Sequence, residues 1–308
     1  MTAVASPTVR DATVAGARRR RVSFVAKHRN LVVSGSLIVL ITLAVIVLPQ
    51  FLVDPDSTDP IHRLLPPSSS HPMGTDKYGR DVFSRMMSAG RVSIGMTFLI
   101  TVCSALLGTF IGLIAGFFVR IGSVLMRIVD AWMAFPSIVL AIVFAVVIGP
   151  GVLSELLAVT IIFTPFTARV IRSRVLSLSA RTYVKAARVA GMGSWKILLV
   201  HILPNTLPLA VVQCVLLSAG AMLIDGSLSF LGLGISPPTA TWGNMVSEGR
   251  SYLIQSPTLV IFPGLAIAIF VFLINIAGGS LRAFVDPRAR LLAEQQRLRT
   301  RGRRSRRR

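Results

Sequence analysis

Acidic residues and cysteines are scarce in this sequence. Of its 308 residues, 12 are Asp or Glu, against 33 Lys or Arg, and two are Cys. Two cysteines cannot build a disulfide framework, and both Cys103 and Cys214 fall inside long apolar runs, where we expect them to pack as small apolar side chains. The four histidines are scattered, so no cluster has the ligand spacing of a metal site.

Motifs for catalysis are also missing. The sequence contains no G-x-x-x-x-G-K-[ST] phosphate-binding loop, so we expect that the chain does not hydrolyse ATP itself. No nucleophile stands in a recognisable elbow or triad setting. The sequence therefore predicts neither an enzyme nor a resident metal or cofactor.

What the sequence has in abundance is apolar residues. Hydrophobic residues make up 53% of the chain, charged residues 15%, and the mean hydropathy is +0.72. The buried helices of a large soluble protein are the alternative, but a chain this apolar is typical of a membrane protein. A helix needs about 20 apolar residues to cross about 30 Å of hydrocarbon, and backbone groups in lipid must be bonded within the segment. We predict an all-α membrane protein with six transmembrane helices: Leu31–Val53, Ser93–Val119, Ile128–Ile148, Leu153–Val170, Thr206–Ile224 and Thr258–Leu281.

The placement of basic residues predicts the orientation. The two tails, the link after the second span and the segment Arg169–Pro204 hold 27 of the 33 basic residues, and Arg169–Pro204 has no acidic residue. The positive-inside rule therefore predicts that both termini and the loop 172–204 are cytoplasmic. The predicted organisation is a basic tail 1–30, a first span 31–53, an extracytoplasmic loop 54–92, a five-span core 93–281 containing the loop 172–204, and a basic tail 282–308.

Three features near the ends of predicted segments have alternative interpretations. The first span is too long for the apolar region of a signal peptide and lacks a small-residue cleavage site, so we interpret it as a retained helix. The arginine-rich tail 297–308 resembles a nucleic-acid-binding arm, but without aromatic residues it is more typical of a cytoplasmic tail near anionic lipid. Asp130, Glu155 and Asp225 lie near span ends and are expected to reach headgroups or water, so no mid-membrane acid supports an ion-coupled carrier.

The segment Tyr183–Asn205 is an unusually ordered cationic loop. Thr182 could cap a first helix, and small residues give that helix a smooth side for another protein to approach. Gly191 and Gly193 allow a turn, after which Trp195, Ile197 and Leu198 are expected to offer an apolar face before Pro204 opens the next span. This pattern indicates a rigid element that couples a partner to the membrane helices, or a helix lying in the headgroup layer.

The same segment resembles the "EAA" loop of ABC-importer permeases, which docks on an ATPase subunit. The resemblance rests on Lys185-Ala186-Ala187-x-x-x-Gly191 and Ile202-Leu203-Pro204. Lys185 stands where an acid is common, and His201 stands where a branched aliphatic residue is common. The resemblance implies a permease fold of the type I importers and the following ATPase-coupling residues: Tyr183, Lys185, Ala186, Ala187, Gly191, Trp195 and Pro204.

Two further segments resemble the "C" permease subunit of dipeptide and oligopeptide importers. Residues 71–85, HPMGTDKYGRDVFSR, are similar to its "LGTDxxGRDxxSR" motif, and residues 225–245 are similar to "EASLSFLGLGxxPPxxxWGxM", with Asp225-Gly226 in place of Glu-Ala. In the first segment, Asp76 and Asp81 can cap or pair with Arg80 and Arg85, leading into a short helix. In the second, Phe230 and Trp242 suit a membrane interface, and the chain forms a partly re-entrant loop or a plain cap. The predicted outer-face residues are Gly74, Asp76, Gly79, Arg80, Asp81, Phe230, Gly232, Gly234 and Trp242, which form either a structural network or a docking or gating surface.

The resemblance implies a subunit of an ATP-driven importer for peptides or similar solutes. Its implied partners are a homologous permease, two ATPase subunits that carry ATP and Mg²⁺, and an extracytoplasmic solute-binding protein. The implied location is a cell membrane, and no nucleic-acid partner is expected. An ion-coupled carrier and a non-transporting membrane scaffold are the alternatives.

Overall fold

The computed structural model describes residues 29–285, and within this range every regular element is helical, which confirms the all-α prediction. The parts of the predicted basic tails that lie at 1–28 and 286–308 are outside the described residues. Short 3₁₀ turns occupy Leu48–Gln50, Pro60–His62 and Arg250–Tyr252. The helices are α1 Arg29–Val47, α2 Val82–Phe117, α3 Val119–Trp132, α4 Ser137–Ile148, α5 Val152–Ser179, α6 Thr182–Val189, α7 Ser194–Phe230, α8 Trp242–Gly249 and α9 Thr258–Val285.

Five of these helices are long and apolar enough to cross a membrane, namely α1, α2, α5, α7 and α9. The predicted span Ile128–Ile148 is not one continuous helix, because the chain breaks between α3 and α4, which meet at 86°; α3 and α4 count as a sixth apolar span only when taken together as a bent pair. Pro136 precedes α4 and disfavours helical backbone at the residue before it, which explains the break. At 1.5 Å per residue, the 12 residues of α4 cover about 18 Å, so α4 alone is too short to cross.

Parallel helices α2 and α5 pack through a glycine stripe. Three glycines four residues apart on α2 face larger side chains four residues apart on α5, and a Cβ on any of them would come within 2.5–2.7 Å of α5 atoms. Small residues at this spacing let helix backbones approach closely in a membrane. The facing pairs are Gly108 with Thr167, Gly112 with Ile171, and Gly116 with Val175.

Helix α7 runs antiparallel to α2, and this fixes the two ends of the bundle. The hydroxyl of Ser218 donates to Thr101 Oγ1 at 3.4 Å, and Met222 receives a 3.7 Å hydrogen bond from Thr97, one turn earlier on α2. We call the end formed by residues 48–81, 149–151 and 231–257 the loop end. The opposite end, where α6 lies, is the α6 end.

Two helices begin earlier than predicted. Helix α2 starts at Val82 rather than Ser93, so the loop before it leads into a helix of 36 residues, about 54 Å long, and not into a short one. Helix α7 starts at Ser194, before the predicted Thr206, and Pro204 lies in the first turn of its regular α-helical part, Leu203–Phe230. A proline crowds the preceding helical turn, and the wider π-helical turn Leu198–Ile202 immediately before Pro204 accommodates it.

Candidate functional site: the knob at the α6 end and the cap at the loop end

Helix α6 and the turn after it form a compact knob, residues 181–197, at the α6 end. Thr182 is the first residue of α6 and does not cap it, because Arg181 occupies the cap position and makes no side-chain cap bond. The other end of α6 closes in a Schellman motif: the amide of Met192 donates to Ala187 O and that of Gly191 to Arg188 O, both at 3.1 Å. Gly191 has φ +80°, the left-handed conformation that this motif requires.

Buried side chains anchor the knob to the bundle. Val184 is fully buried, and Ile197 and Leu198 join the same apolar cluster as Ile171 and Val175 of α5. The apolar face predicted at Ile197 and Leu198 therefore points into the bundle, while Trp195 stays largely exposed. Sequence reasoning could not assign this direction, because it depends on contacts with α5, which is distant in the chain.

Trp195 extends this anchoring to the start of α3. Its ring lies 5.4 Å from that of Phe118, the residue between α2 and α3, although 59% of the tryptophan is exposed. Arg188 of α6 lies over the Phe117 ring, 5.7 Å from its centroid. Movement of the knob would therefore displace the end of α2, the start of α3 and the C-terminal part of α5 together.

The face of the knob that points away from the bundle mixes basic and apolar side chains. Val189 is 90% exposed, while Tyr183, Lys185 and Ala186 are also exposed. Ala187 is only half-buried and packs against the anchoring cluster, so it belongs to the base of the knob as much as to its face. The exposed basic residues are Arg181, Lys185, Arg188 and Lys196.

The α6 knob stands clear of the membrane-spanning part of the bundle. Helix α5 has 28 residues and a length of about 42 Å, which exceeds the roughly 30 Å of a hydrocarbon core. Because α6 follows the end of α5 after two residues, it lies beyond that core. A headgroup-layer helix would turn its apolar side to lipid, whereas the buried Val184 of α6 faces the protein.

At the loop end, residues 71–85 form a cap over the start of α2. Asp81 is the N-cap of α2 and accepts a hydrogen bond from Ser84 N at 2.8 Å, while His71 Nδ1 lies 3.0 Å from its other oxygen. Arg80 Nε donates to Asp76 Oδ2 at 2.6 Å, and both side chains are almost buried. These contacts confirm the predicted capping and pairing, and Gly74 takes φ +82° at the turn.

Gly79 seats this cap against the preceding turn. A Cβ on Gly79 would overlap Asp59 O, only 1.8 Å away, and the glycine has φ +77°. Asp59 begins the 3₁₀ turn Pro60–His62, where the hydrogen bond from His62 holds the pKa of the Asp59 carboxyl below its ordinary value. The turn Pro60–His62 is thus held next to Gly79 by the close contact between Gly79 and Asp59.

Arg85 finds partners that the sequence did not indicate. Its Nη1 donates to Asp56 Oδ1 at 2.9 Å, and its Nη2 lies 4.0 Å from Glu248 Oε1 of α8. Glu248 also reaches Arg80 at 3.4 Å and Lys77 at 3.8 Å. Between the predicted spans Thr206–Ile224 and Thr258–Leu281, the acidic residues are Asp225 and Glu248, and this scarcity of acids was the available signal for the role of Glu248.

Residues 230–242 connect α7 to α8 across the loop end. Phe230 is 39% exposed and lies under the Arg250 guanidinium, 5.1 Å from its ring centroid. Gly232 turns the chain with φ +76°, and Gly234 lies so close to Ser229 that a Cβ would come within 2.3 Å of its hydroxyl. The connection leads into the eight-residue helix α8, which packs against α7 and α9 as a cap.

Trp242 is buried, not at an interface. Only 2% of it is exposed, its backbone amide donates to Ser93 Oγ at 3.1 Å, and its indole Nε1 donates to Met86 O at 3.0 Å. The predicted interface position is therefore wrong, since the indole has both its apolar surface and its polar nitrogen satisfied inside the protein.

The three acids at span ends behave differently from one another. Asp130 is exposed, as predicted, and bonds Arg169 at 2.6 Å. Glu155 and Asp225 are each 1% exposed, so the prediction that they reach headgroups or water is wrong. Within residues 29–285, no three His, Cys, Asp or Glu side chains come together as a metal site.

Comparison with known proteins gives a consistent result. Residues 108–291 match the family model described as "Binding-protein-dependent transport system inner membrane component". A protein of Brucella abortus biovar 1 named as a peptide transport system permease is 37% identical over 299 residues, which are 94% of this chain and 99% of that protein.

Two other relatives have more specific names. The dipeptide transport system permease protein DppC of Alkalihalophilus pseudofirmus is 36% identical, covering 85% of this chain and 87% of its own length. The glutathione transport system permease protein GsiD of Pectobacterium atrosepticum is 36% identical, covering 92% and 95%. Among solved structures, a chain of the MetNI methionine ABC transporter aligns with a TM-score of 0.49 and 20% identity, over 63% of this chain and 94% of that one.

Proposed function

The chain belongs to the family of binding-protein-dependent transport system inner membrane components, and it is a membrane permease subunit of an ABC importer rather than an enzyme; we propose that its cargo is a peptide or a similar small solute. The relatives named for dipeptide and glutathione transport support this cargo class. Membership of the family implies an ATPase partner and a solute-binding protein. We propose a complex with one homologous permease and two ATPase subunits, which carry the ATP and Mg²⁺.

The α6 knob is the docking site for one ATPase subunit in this proposal. The observation that carries it is the combination of a firmly anchored base and a free face: Val184 is fully buried while Val189, five residues on, is 90% exposed. A rigid element of this kind transmits a push without bending. Its basic residues support a cytoplasmic position for the knob, by the positive-inside rule.

Transport then follows from motion of the knob. When ATP draws the ATPase subunits together, α6 moves, and its contacts with Phe117, Phe118 and α5 carry the motion into the spanning helices. The bundle shifts between inward and outward access as a rigid-body rearrangement. At the loop end, the cap of residues 71–85 and α8 offers a firm surface for the solute-binding protein, which supplies most of the selectivity.

A charge at position 189 tests the docking. Val189→Asp places an acid on the exposed face without touching the anchoring cluster, so the protein should insert and melt as the wild type does while ATP-driven uptake falls at least tenfold. Val189→Thr changes the same position without adding charge and should retain most uptake. Normal uptake by the stable aspartate variant would rule out docking through this face.

The cargo and the rival mechanisms need separate measurements. Growth of a deletion strain on dipeptides, longer peptides and glutathione as sole nitrogen or sulfur source identifies the cargo. For the mechanism, the chain alone in vesicles under an ion gradient should show no uptake. Uptake under those conditions would favour an ion-coupled carrier. Partner binding by the chain, together with normal uptake in the deletion strain, would favour a scaffold.

A further inference from the structure

Two acidic side chains that have no role in the proposed coupling to an ATPase lie together inside the loop end of the bundle. Glu155 lies in the first turn of α5, and Asp225 lies five residues before the end of α7. The residues that flank them pack in one apolar cluster, namely Leu156 and Val159 on α5 and Ile224 and Leu228 on α7. The two carboxyl groups face each other there, and each acid is only 1% exposed. A lone buried carboxylate in an apolar interior is very costly, and two that face each other also repel.

The surroundings of the pair are apolar. The cluster at this level includes Val159, Leu228 and Ile235, and the polar side chain beside the pair is the hydroxyl of Ser229. Helix α4 and residues 231–241, which pack here, contain no charged residue. No Lys, Arg or His of the described chain forms an ion pair with either acid.

The charged residues of the neighbouring elements have other positions. On α2, Arg85 is bound to Asp56 and Glu248, and Arg91 lines the groove beside α1. On α5, Arg169 lies 14 residues, or about 21 Å, farther along the helix. On α8, Glu248 is held by Arg80. Within residues 29–285, therefore, no Lys, Arg or His is placed to neutralise the pair.

Hydrogen-bond donors at the pair are few, namely the Ser229 hydroxyl beside Asp225 and the backbone N–H of Ile235 beside Glu155. Both oxygens of Glu155 and Oδ1 of Asp225 are buried without a hydrogen-bond partner. An ionised carboxylate only accepts hydrogen bonds, so two of them cannot satisfy one another. A single proton changes this, because the protonated carboxyl becomes an O–H donor to its neighbour and forms a short, charge-assisted bond.

We propose that Glu155 and Asp225 form a proton-binding site, in which one shared proton joins the two carboxyl groups and fastens the start of α5 to α7. The proton comes from water, and the one negative charge that the occupied site keeps is shared between the two carboxyl groups beside the Ser229 hydroxyl and the Ile235 amide. A metal ion fits less well, since no third His, Cys, Asp or Glu ligand lies there in the described chain. The site adds to the proposed transport function and does not depend on it.

Infrared difference spectroscopy on the purified full chain tests the proposal directly. The wild type should show the C=O stretching band of a protonated carboxyl, shifted in D₂O, and both Glu155→Gln and Asp225→Asn should lose it. Asp130→Asn removes an exposed acid and should leave the band unchanged. Absence of the band from the wild type, or its persistence in both variants, would overturn the proposal.

The pH dependence of thermal unfolding gives a second readout. The shared proton stabilises the folded chain and is lost as the pH rises, so the wild-type midpoint should fall at alkaline pH. In Glu155→Gln, the side-chain amide supplies a donor that cannot dissociate, and this fall should be smaller by at least half. If that variant fails to fold, Asp225→Asn serves in the same way, and equal slopes in wild type and variant would contradict proton sharing.

Discussion

Trp242 lies so close to Gly90 that a Cβ on the glycine would come within 2.8 Å of the indole carbon Cζ2. The same Cβ would also come within 2.7 Å of Val45. Gly90 is therefore the point at which α1, α2 and α8 converge at the loop end. The indole hydrogen bond to Met86, one turn earlier on α2, fixes the ring in this position.

Substitution of Gly90 should test this convergence. Gly90→Ala forces the indole or Val45 to move, and overpacking of this kind costs about 1–3 kcal/mol of folding free energy. We expect a lower midpoint of thermal unfolding in detergent. Gly95 lies on the same helix with nothing within 4 Å of its Cβ position, so Gly95→Ala should leave the midpoint unchanged or raised. Equal midpoints for the two variants would show that α8 does not pack as described.

In the turn after α6, backbone conformation should decide whether Gly191 or Gly193 accepts a larger side chain, because both positions have room for one. Neither Gly191 nor Gly193 has an atom within 4 Å of its Cβ position, but only Gly191 has a positive φ. Gly191→Val should reduce ATP-driven uptake at least tenfold, because a β-branched residue strains the left-handed position on which the knob depends. Gly193→Val, at φ −60°, should retain most uptake, with both variants present in the membrane at similar levels. Similar uptake by both variants would contradict the importance of this turn.

The ion pairs at the two ends should differ in their contribution to stability. Glu248→Gln withdraws a charge from the buried Arg85 and Arg80, and we expect a loss of about 1–3 kcal/mol. Asp130→Asn removes the shorter 2.6 Å pair with Arg169, but both of those side chains are more than half exposed, so a loss below about 1 kcal/mol is expected. Denaturant or thermal unfolding measures both, and a larger loss for Asp130→Asn would refute the ranking.

Asp59 should show the effect of His62 on its titration. The hydrogen bond from His62 lowers the pKa of Asp59, so the contribution of this contact to stability is present at neutral pH and is lost as the pH falls through the folded-state pKa. In His62→Ala, Asp59 should therefore titrate at a higher pH, as measured by carbon NMR of labelled aspartate. His71→Ala serves as a control, and a shift of Asp59 in that variant instead would contradict the assignment.

The class of the protein and the positions of its motifs could be predicted from the amino-acid sequence. Apolar runs longer than a membrane is thick have to be helices, because lipid offers the backbone no other hydrogen-bond partners. Local chemistry also identified Asp81 as a helix cap and Gly191 as a turn, since both effects act over a few residues. These features depend on neighbours in the chain.

Which side chains are buried, and which residues they contact, became visible in the folded chain. From the amino-acid sequence, Trp242 and Glu155 are predicted at a membrane interface, but each is buried under helices that are distant in the chain. Glu248 becomes the partner of Arg85 only because α8 folds over the start of α2. The knob likewise owes its rigid base to the packing of Ile197 and Leu198 against Ile171 and Val175 of α5. Burial and pairing depend on long-range packing, which the periodicity of a single chain does not encode.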